Sequence, residues 1–380
     1  MNEKFDDIRP YVDAEIPAAM QRIAESPYLP AIAEFLFPDK SLDEVQALVR
    51  SFANIRDFQI GAMYAFNYQV IKQTADNFTC EGTEHLDPAK NYLFVSNHRD
   101  IVMDASLLQF ALYHKNFRTT EITFGSNLMA SQLVIDIGRS NKMFKVVRGG
   151  NAREFYENSL HLSEYLRYTI AEKGESIWIA QRNGRTKDGN DATDQGIIKM
   201  FCMSGGKDLV QSLDELNIVP MAISYQWEPC DFFKMRELFL SRNGEKYVKG
   251  KNEDFTSIMT GITQPKGDIH IQLCEPLRRE ELQKLSQEKT PNDFFKGVVN
   301  LIDRRIYRNY KLHSTNYIAH DLRSKTNTYA AHYTPEEKEH FIQRSHKILN
   351  EFTTDKEAAE QILLGIYANP VGKKTDCARP

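Results

Sequence analysis

The sequence has no apolar run long enough to cross a bilayer. Its longest uncharged stretch beside an apolar segment, Phe58 to Ile71, has 14 residues and includes Gln59, Asn67 and Gln69. A spanning helix takes about 20 mainly apolar residues, so only peripheral membrane contact is expected. The acidic N-terminus has no apolar core, and no secretory signal is expected. The five cysteines, Cys80, Cys202, Cys230, Cys274 and Cys377, form no CxxC pair and no metal-ligand spacing. They read as reduced thiols, against a disulfide framework or a zinc site. No large charge excess is present either. A net charge of −4 argues against nucleic-acid binding, so any anionic partner must meet a local basic cluster. Internal repeats and low-complexity tracts are absent too. The tripeptide His98-Arg99-Asp100 lacks the upstream glycine-rich loop and the downstream Asp-Phe-Gly of a kinase.

What is present is the composition of a globular protein, with 380 residues, 41% apolar and 26% charged. Residues 1–78 read as helical, with Ser41-Leu42-Asp43-Glu44 as a capping box ahead of the apolar face Val45, Leu48, Val49 and Phe52. Residues 79–285 alternate between strand-like and helix-like segments. Strands are predicted at Tyr92–Ser96, Glu121–Phe124, Phe144–Val147, Ser176–Ala180, Ile218–Ser224 and Ile269–Leu273. This alternation predicts an α/β fold, a largely parallel mixed sheet flanked by helices. The proline inside Ile218–Ser224 suggests an edge strand or a strand start. A helix from about Ala152 to Lys173 is expected to end on Gly174 as a left-handed cap. Residues 286–380 return to helices, opened by Pro291 and by Thr334-Pro335, with a last helix over roughly Asp355 to Ile366. The tail from Asn369 through Pro370, Gly372 and Pro380 is expected to fray.

Four segments carry candidate chemistry. The first is His98, at a strand end beside Asp100 and Asp104. Either carboxylate could accept the Nδ1–H and leave Nε2 as a general base, while the other caps a helix. The second runs from Arg139 to Arg153, with five basic residues and no acidic one. There Arg148 ends a strand, Gly149-Gly150 turn, and a helix begins, which together make an anion site plausible. Third is the loop Gln181-Arg182-Asn183-Gly184-Arg185, basic at first and then acidic at Asp188, Asp191 and Asp194. The fourth is the strand with Val219-Pro220.

In order and character these segments resemble the glycerolipid acyltransferase family, over about residues 79 to 285. That family has Asn-His with an Asp five residues after the His, an Arg after an apolar strand, a Glu-Gly-(Thr)-Arg core and an apolar strand with proline. This chain has Asn97-His98, Phe144 to Arg148, Asn183-Gly184-Arg185 and Val219-Pro220, and Ile269 to Leu277 matches the closing strand-then-proline segment. It departs by placing Met103 five after His98, with Asp104 one later, by Asn183 where the Glu stands, and by having no Thr between Gly184 and Arg185. The resemblance implies an O-acyltransferase that moves a fatty acyl group from a thioester donor, acyl-CoA or acyl-carrier protein, to the hydroxyl of a lysophospholipid, first of all 1-acylglycerol 3-phosphate. No cofactor is implied. His98 would act as base with Asp104 or Asp100 as its partner. Arg99, Arg148, Asn183, Gly184 and Arg185 would bind the acceptor. The protein would lie in the cytoplasm, peripheral to the inner face of the membrane, touching lipid through its N-terminal helices. The alternatives are a lyso-aminolipid acceptor, or a non-catalytic relative that binds lipid or acyl carrier.

Overall fold

Seven strands form one mixed sheet in the order β1-β7-β6-β2-β5-β3-β4. They are β1 (Ala75–Glu81), β2 (Leu93–Ser96), β3 (Glu121–Gly125), β4 (Met143–Val146), β5 (Ile177–Ala180), β6 (Ile218–Tyr225) and β7 (Gly267–Leu273). The computed structural model describes residues 3–244, 246–250, 252–287, 290–352 and 354–378. Strands β6, β2, β5, β3 and β4 run parallel. Strand β7 is antiparallel to β6 and parallel to β1.

The central strands are apolar throughout because both faces are covered. In β2, Leu93 and Val95 join the core on one face and Phe94 the core on the other; in β5, Ile177 and Ile179 oppose Trp178 in the same way. Helices α1 (Ile16–Ala24) and α2 (Leu42–Ser51) form a separate N-terminal core with neighbouring helices, and the predicted Ser41–Glu44 capping box starts α2. Helix α3 (Tyr64–Thr74) runs directly into β1. Helix α4 (Met103–His114) follows β2. Helix α5 (Ala152–Tyr168) follows β4 and continues through a π-helical turn to Gly174 at φ 71°, the left-handed cap expected there. Helices α6 (Asp231–Ser241) and α7 (Glu253–Thr263) lie between β6 and β7, followed by α8 (Pro291–Asn309) and α9 (Ser314–Ser324). Helices α10 (Pro335–Leu349) and α11 (Lys356–Ala378) pack with α6 and α9 around Trp227, Phe341 and Leu363.

Three expectations need correction. Helical structure was expected to about residue 78, yet β1 begins at Ala75. The tail does not fray at Asn369: α11 continues through Pro370 to Ala378, while Pro380 lies outside the described residues. Pro220 is not on an edge but inside β6, a strand that pairs with β2 on one side and β7 on the other. Pro220 pairs with Val95 of β2 and lies one residue before the β7 ladder, which ends at Met221 and Leu273. The chain beyond β7 still supplies donors to β6, Cys274 to the Pro220 carbonyl and Leu277 to the Ile218 carbonyl.

Candidate active site

The five parallel strands all end at one edge of the sheet, and β2 is the strand where the connections reverse direction: the chain crosses to β3 on one side and later to β6 on the other. Open α/β sheets bind ligands at such a point. Asn97 and His98 leave β2 there. Asn97 is fully buried and replaces a strand residue: its amide donates to the Ile223 carbonyl at 3.0 Å and accepts from the Ile223 N–H at 2.8 Å. This fixes where the next residue stands.

His98 Nδ1 lies 2.8 Å from Asp104 Oδ2. The same oxygen accepts the backbone N–H groups of Arg99 at 2.6 Å and Asp100 at 2.9 Å, and Asp104 Oδ1 accepts the Tyr225 hydroxyl at 2.7 Å. The turn therefore wraps around one buried carboxylate. Burial alone would raise the Asp104 carboxyl, but the His98 hydrogen bond and charge, the Asp100 N–H and the Tyr225 hydroxyl outweigh it and hold it below the ordinary range. Burial, with Asp104 next to it, pushes the Tyr225 phenol well above its usual value, so it stays a donor. His98 Nε2 has no protein partner among the described residues, the ring packs edge-on against Trp178 at 5.6 Å, and 12% of the side chain is exposed.

Asp100 is not the partner of His98. Its Oδ1 accepts the N–H groups of Val102 at 2.9 Å and Met103 at 2.8 Å, capping the start of α4. Met103 points into the core and is fully buried. One extra residue in the turn thus brings Asp104 to the imidazole.

Arg99 differs from the expectation of an acceptor-binding group. Its guanidinium is fully buried, with Nη2 2.6 Å from Asp191 Oδ2, Nη1 3.2 Å from Glu228 Oε2, and the Tyr310 ring 5.4 Å away. Lys234 Nζ completes the set, 2.6 Å from Glu228 Oε1 and 2.6 Å from the Arg99 carbonyl. Two cations and two carboxylates cancel in charge, which is how buried ions are tolerated.

The remaining candidates sit at neighbouring strand ends. Arg148, exposed after β4, lies against Gly125 at the end of β3; a Cβ there would be 3.0 Å from the guanidinium. Gly149 and Gly150 follow at φ 87° and 99°, turning the chain into α5, whose N-cap Asn151 accepts from Arg153 and Glu154. Asn183 is exposed, and Gly184 is left-handed at φ 77°. Arg185 is half-buried, and its Nη1 is buried without a protein partner. It leans toward Cys230 beyond β6: burial pushes that thiol up to about 11, and the charge of Arg185 pulls the other way. Arg148 follows β4 and Arg185 follows β5, so both stand on loops at the edge of the sheet that carries His98. Thr186 N–H donates to the His98 carbonyl at 2.8 Å, tying the Arg185 loop to the histidine.

A family model described as Acyltransferase matches residues 77–224, from β1 to the end of β6, including the whole His98 turn. Residues 77–224 are thus similar to an acyltransferase domain. Among solved structures, the chain is similar to the 1-acyl-sn-glycerophosphate (LPA) acyltransferase PlsC from Thermotoga maritima, at 13% identity and a TM-score of 0.41, over 77% of this chain and 93% of that one. No curated protein matches. The matched segment ends at Ser224, so Tyr225, Glu228 and Lys234 reach the His98 turn from outside it. Sequence reasoning missed these three; the only local signal was the position of Tyr225, directly after the β6 run.

Proposed function

We propose that this acyltransferase transfers a fatty acyl group from a thioester, acyl-CoA or acyl-carrier protein, to the hydroxyl of a lysophospholipid, with 1-acylglycerol 3-phosphate as first choice. The observation that carries it is the His98 Nδ1 to Asp104 Oδ2 contact of 2.8 Å, which leaves Nε2 without a protein partner among the described residues. His98 Nε2 takes the acceptor hydroxyl proton as that oxygen bonds to the thioester carbonyl carbon. The tetrahedral intermediate then expels the thiolate, and the imidazolium returns the proton to sulfur. Asp104 holds the ring so that Nε2 is the free nitrogen, and its carboxylate stabilises the imidazolium. No acyl-enzyme forms.

Arg148 and Arg185 hold the acceptor phosphate, which contributes orientation and binding rather than chemistry. Asn183 and Gly184 shape the loop that brings Arg185 in. The experiment is transfer of labelled acyl groups to lysophosphatidic acid by the purified full chain and by His98→Ala. A positioned general base contributes roughly 10²–10⁴ in rate, and the variant should lose that much in kcat with an unchanged circular dichroism spectrum. Transfer undiminished in His98→Ala, or no transfer by the unaltered chain to any lysolipid, overturns the reading.

A further inference from the structure

We propose that the rim beside Arg148 is the surface by which the protein rests on an anionic phospholipid bilayer, with Phe255 and Met259 of α7 and Phe155 and Tyr156 of α5 entering the lipid. Among the described residues, twelve large apolar side chains stand out as exposed, and seven of them fall within 147–156 and 240–259. Such clustering marks an interaction face, whereas single exposed apolar residues mean nothing. Both segments adjoin the edge of the sheet that carries His98, and Asp254 at the start of α7 lies near enough for its charge to act on Arg148.

The orientation of α7 is fixed by its other side. Ser257 and Gly261, four residues apart, are its buried stripe. A Cβ on Gly261 would lie 2.1 Å from Asp100 Oδ2, so the helix is seated directly on the His98 turn. Phe255 and Met259 have the same spacing on the opposite face and are 64% and 42% exposed. Seating one stripe on the catalytic turn presents the other to solvent.

Charge selects the occupant. Asp254 pairs with Lys249 at 2.5 Å and Glu157 with Arg153 at 2.8 Å, while Glu253 accepts the Tyr247 hydroxyl at 2.7 Å and the Gly250 N–H at 2.9 Å and Glu154 accepts the Asn151 N–H at 2.9 Å. Arg148, Arg236 and Lys246 have no ion-pair partner among the described residues. An apolar patch flanked by cations outside any ion pair suits an anionic membrane surface. The proposal rests on the acyltransferase reading, since a lipid acceptor gives the mouth of the site a reason to meet a bilayer.

The test is flotation of the full chain with vesicles of phosphatidylcholine alone and of phosphatidylcholine with phosphatidylglycerol. The unaltered protein should float with the anionic vesicles and less with the neutral ones. Phe255→Ser with Met259→Ser should weaken that partition by about tenfold or more, with an unchanged melting curve. Ile60→Ser with Tyr68→Ser, on the N-terminal helices, should leave it intact. Flotation that survives the α7 pair, or is lost only with the N-terminal pair, overturns the proposal. So does absence of vesicle binding with capture of an acidic acyl-carrier protein instead. A short-chain acceptor in solution separates the two readings. The α7 variant should acylate it at the unaltered rate, whereas a protein that floats as expected but acylates nothing keeps the docking surface and loses the proposed function.

Discussion

Arg99 and Arg148 are both arginines at the sheet edge of one domain, and they are used in opposite ways. Arg99 is held in a closed set with Asp191, Glu228 and Lys234, every charge answered and none reaching solvent. Arg148 stands exposed beyond a strand end with no ion-pair partner among the described residues. The difference teaches where a charge serves the fold and where it is left over for a ligand. The buried side fixes the position of His98 through the backbone, since Arg99 N–H and Asp100 N–H both end on Asp104. The open side keeps binding capacity in reserve.

The largest test of this contrast is Arg99→Ala. Removing one member of a buried charge set leaves its partners uncompensated, a loss of about 3–5 kcal/mol, to be read from denaturant unfolding. A change within roughly 0.5 kcal/mol, the range of ordinary surface substitutions, would show that the set is not coupled to the fold. Next in size is a pH effect. His313 lies behind β6 with Nε2 3.1 Å from Ser224 Oγ, and burial, aided by Lys311, pushes its imidazole down to about 4. Its folded-state value is depressed, so the unfolded chain binds the extra proton first. Stability is therefore full above the unfolded value and falls as pH drops from there toward the folded value, by about 2 kcal/mol near pH 5. His313→Gln should flatten that slope, as measured by unfolding between neutral and mildly acidic pH. The smallest effect on stability belongs to Arg148→Ala, expected within about 0.5 kcal/mol of the unaltered protein. The same substitution should raise KM for a phosphorylated acceptor by about tenfold, the loss of one charge-assisted contact, and leave a phosphate-free acceptor nearly unaffected.

Much of the sheet was legible because β2, β5 and β6 are apolar runs bounded by turn residues, the mark of strands covered on both faces, and β3, β4 and β7 keep enough apolar and β-branched or aromatic residues to read as strands. Strand β1, Ala-Asp-Asn-Phe-Thr-Cys-Glu, was not: it is an edge strand, half-exposed and polar, and it follows α3 without a loop. Pro370 reads locally as a helix end, but packing of Leu363, Leu364, Ile366 and Val371 against the rest of the chain overrides one missing hydrogen bond. In the site, His98 and its nearby carboxylates were visible as a pattern. Which carboxylate faces the ring was not, because one residue of turn length decides it. The fate of Arg99 was hidden for a different reason. Its partners Asp191 and Glu228 are roughly 90 and 130 positions away, and only tertiary structure brings separations of that order together.

One further consequence lies in the loop that carries Arg185. A Cβ on Gly189 would come within 2.1 Å of the Ile366 carbonyl, and Asn369 donates to the Asp188 carbonyl at 2.7 Å. The far end of the loop thus rests on α11, while its near end is tied to His98 through Thr186. During synthesis from the N-terminus, the histidine, its aspartate and the sheet emerge long before the residues that floor this loop. Completion of the Arg185 loop waits for residues 366–369 to leave the ribosome, so a nascent chain can fold its sheet well before this loop is floored.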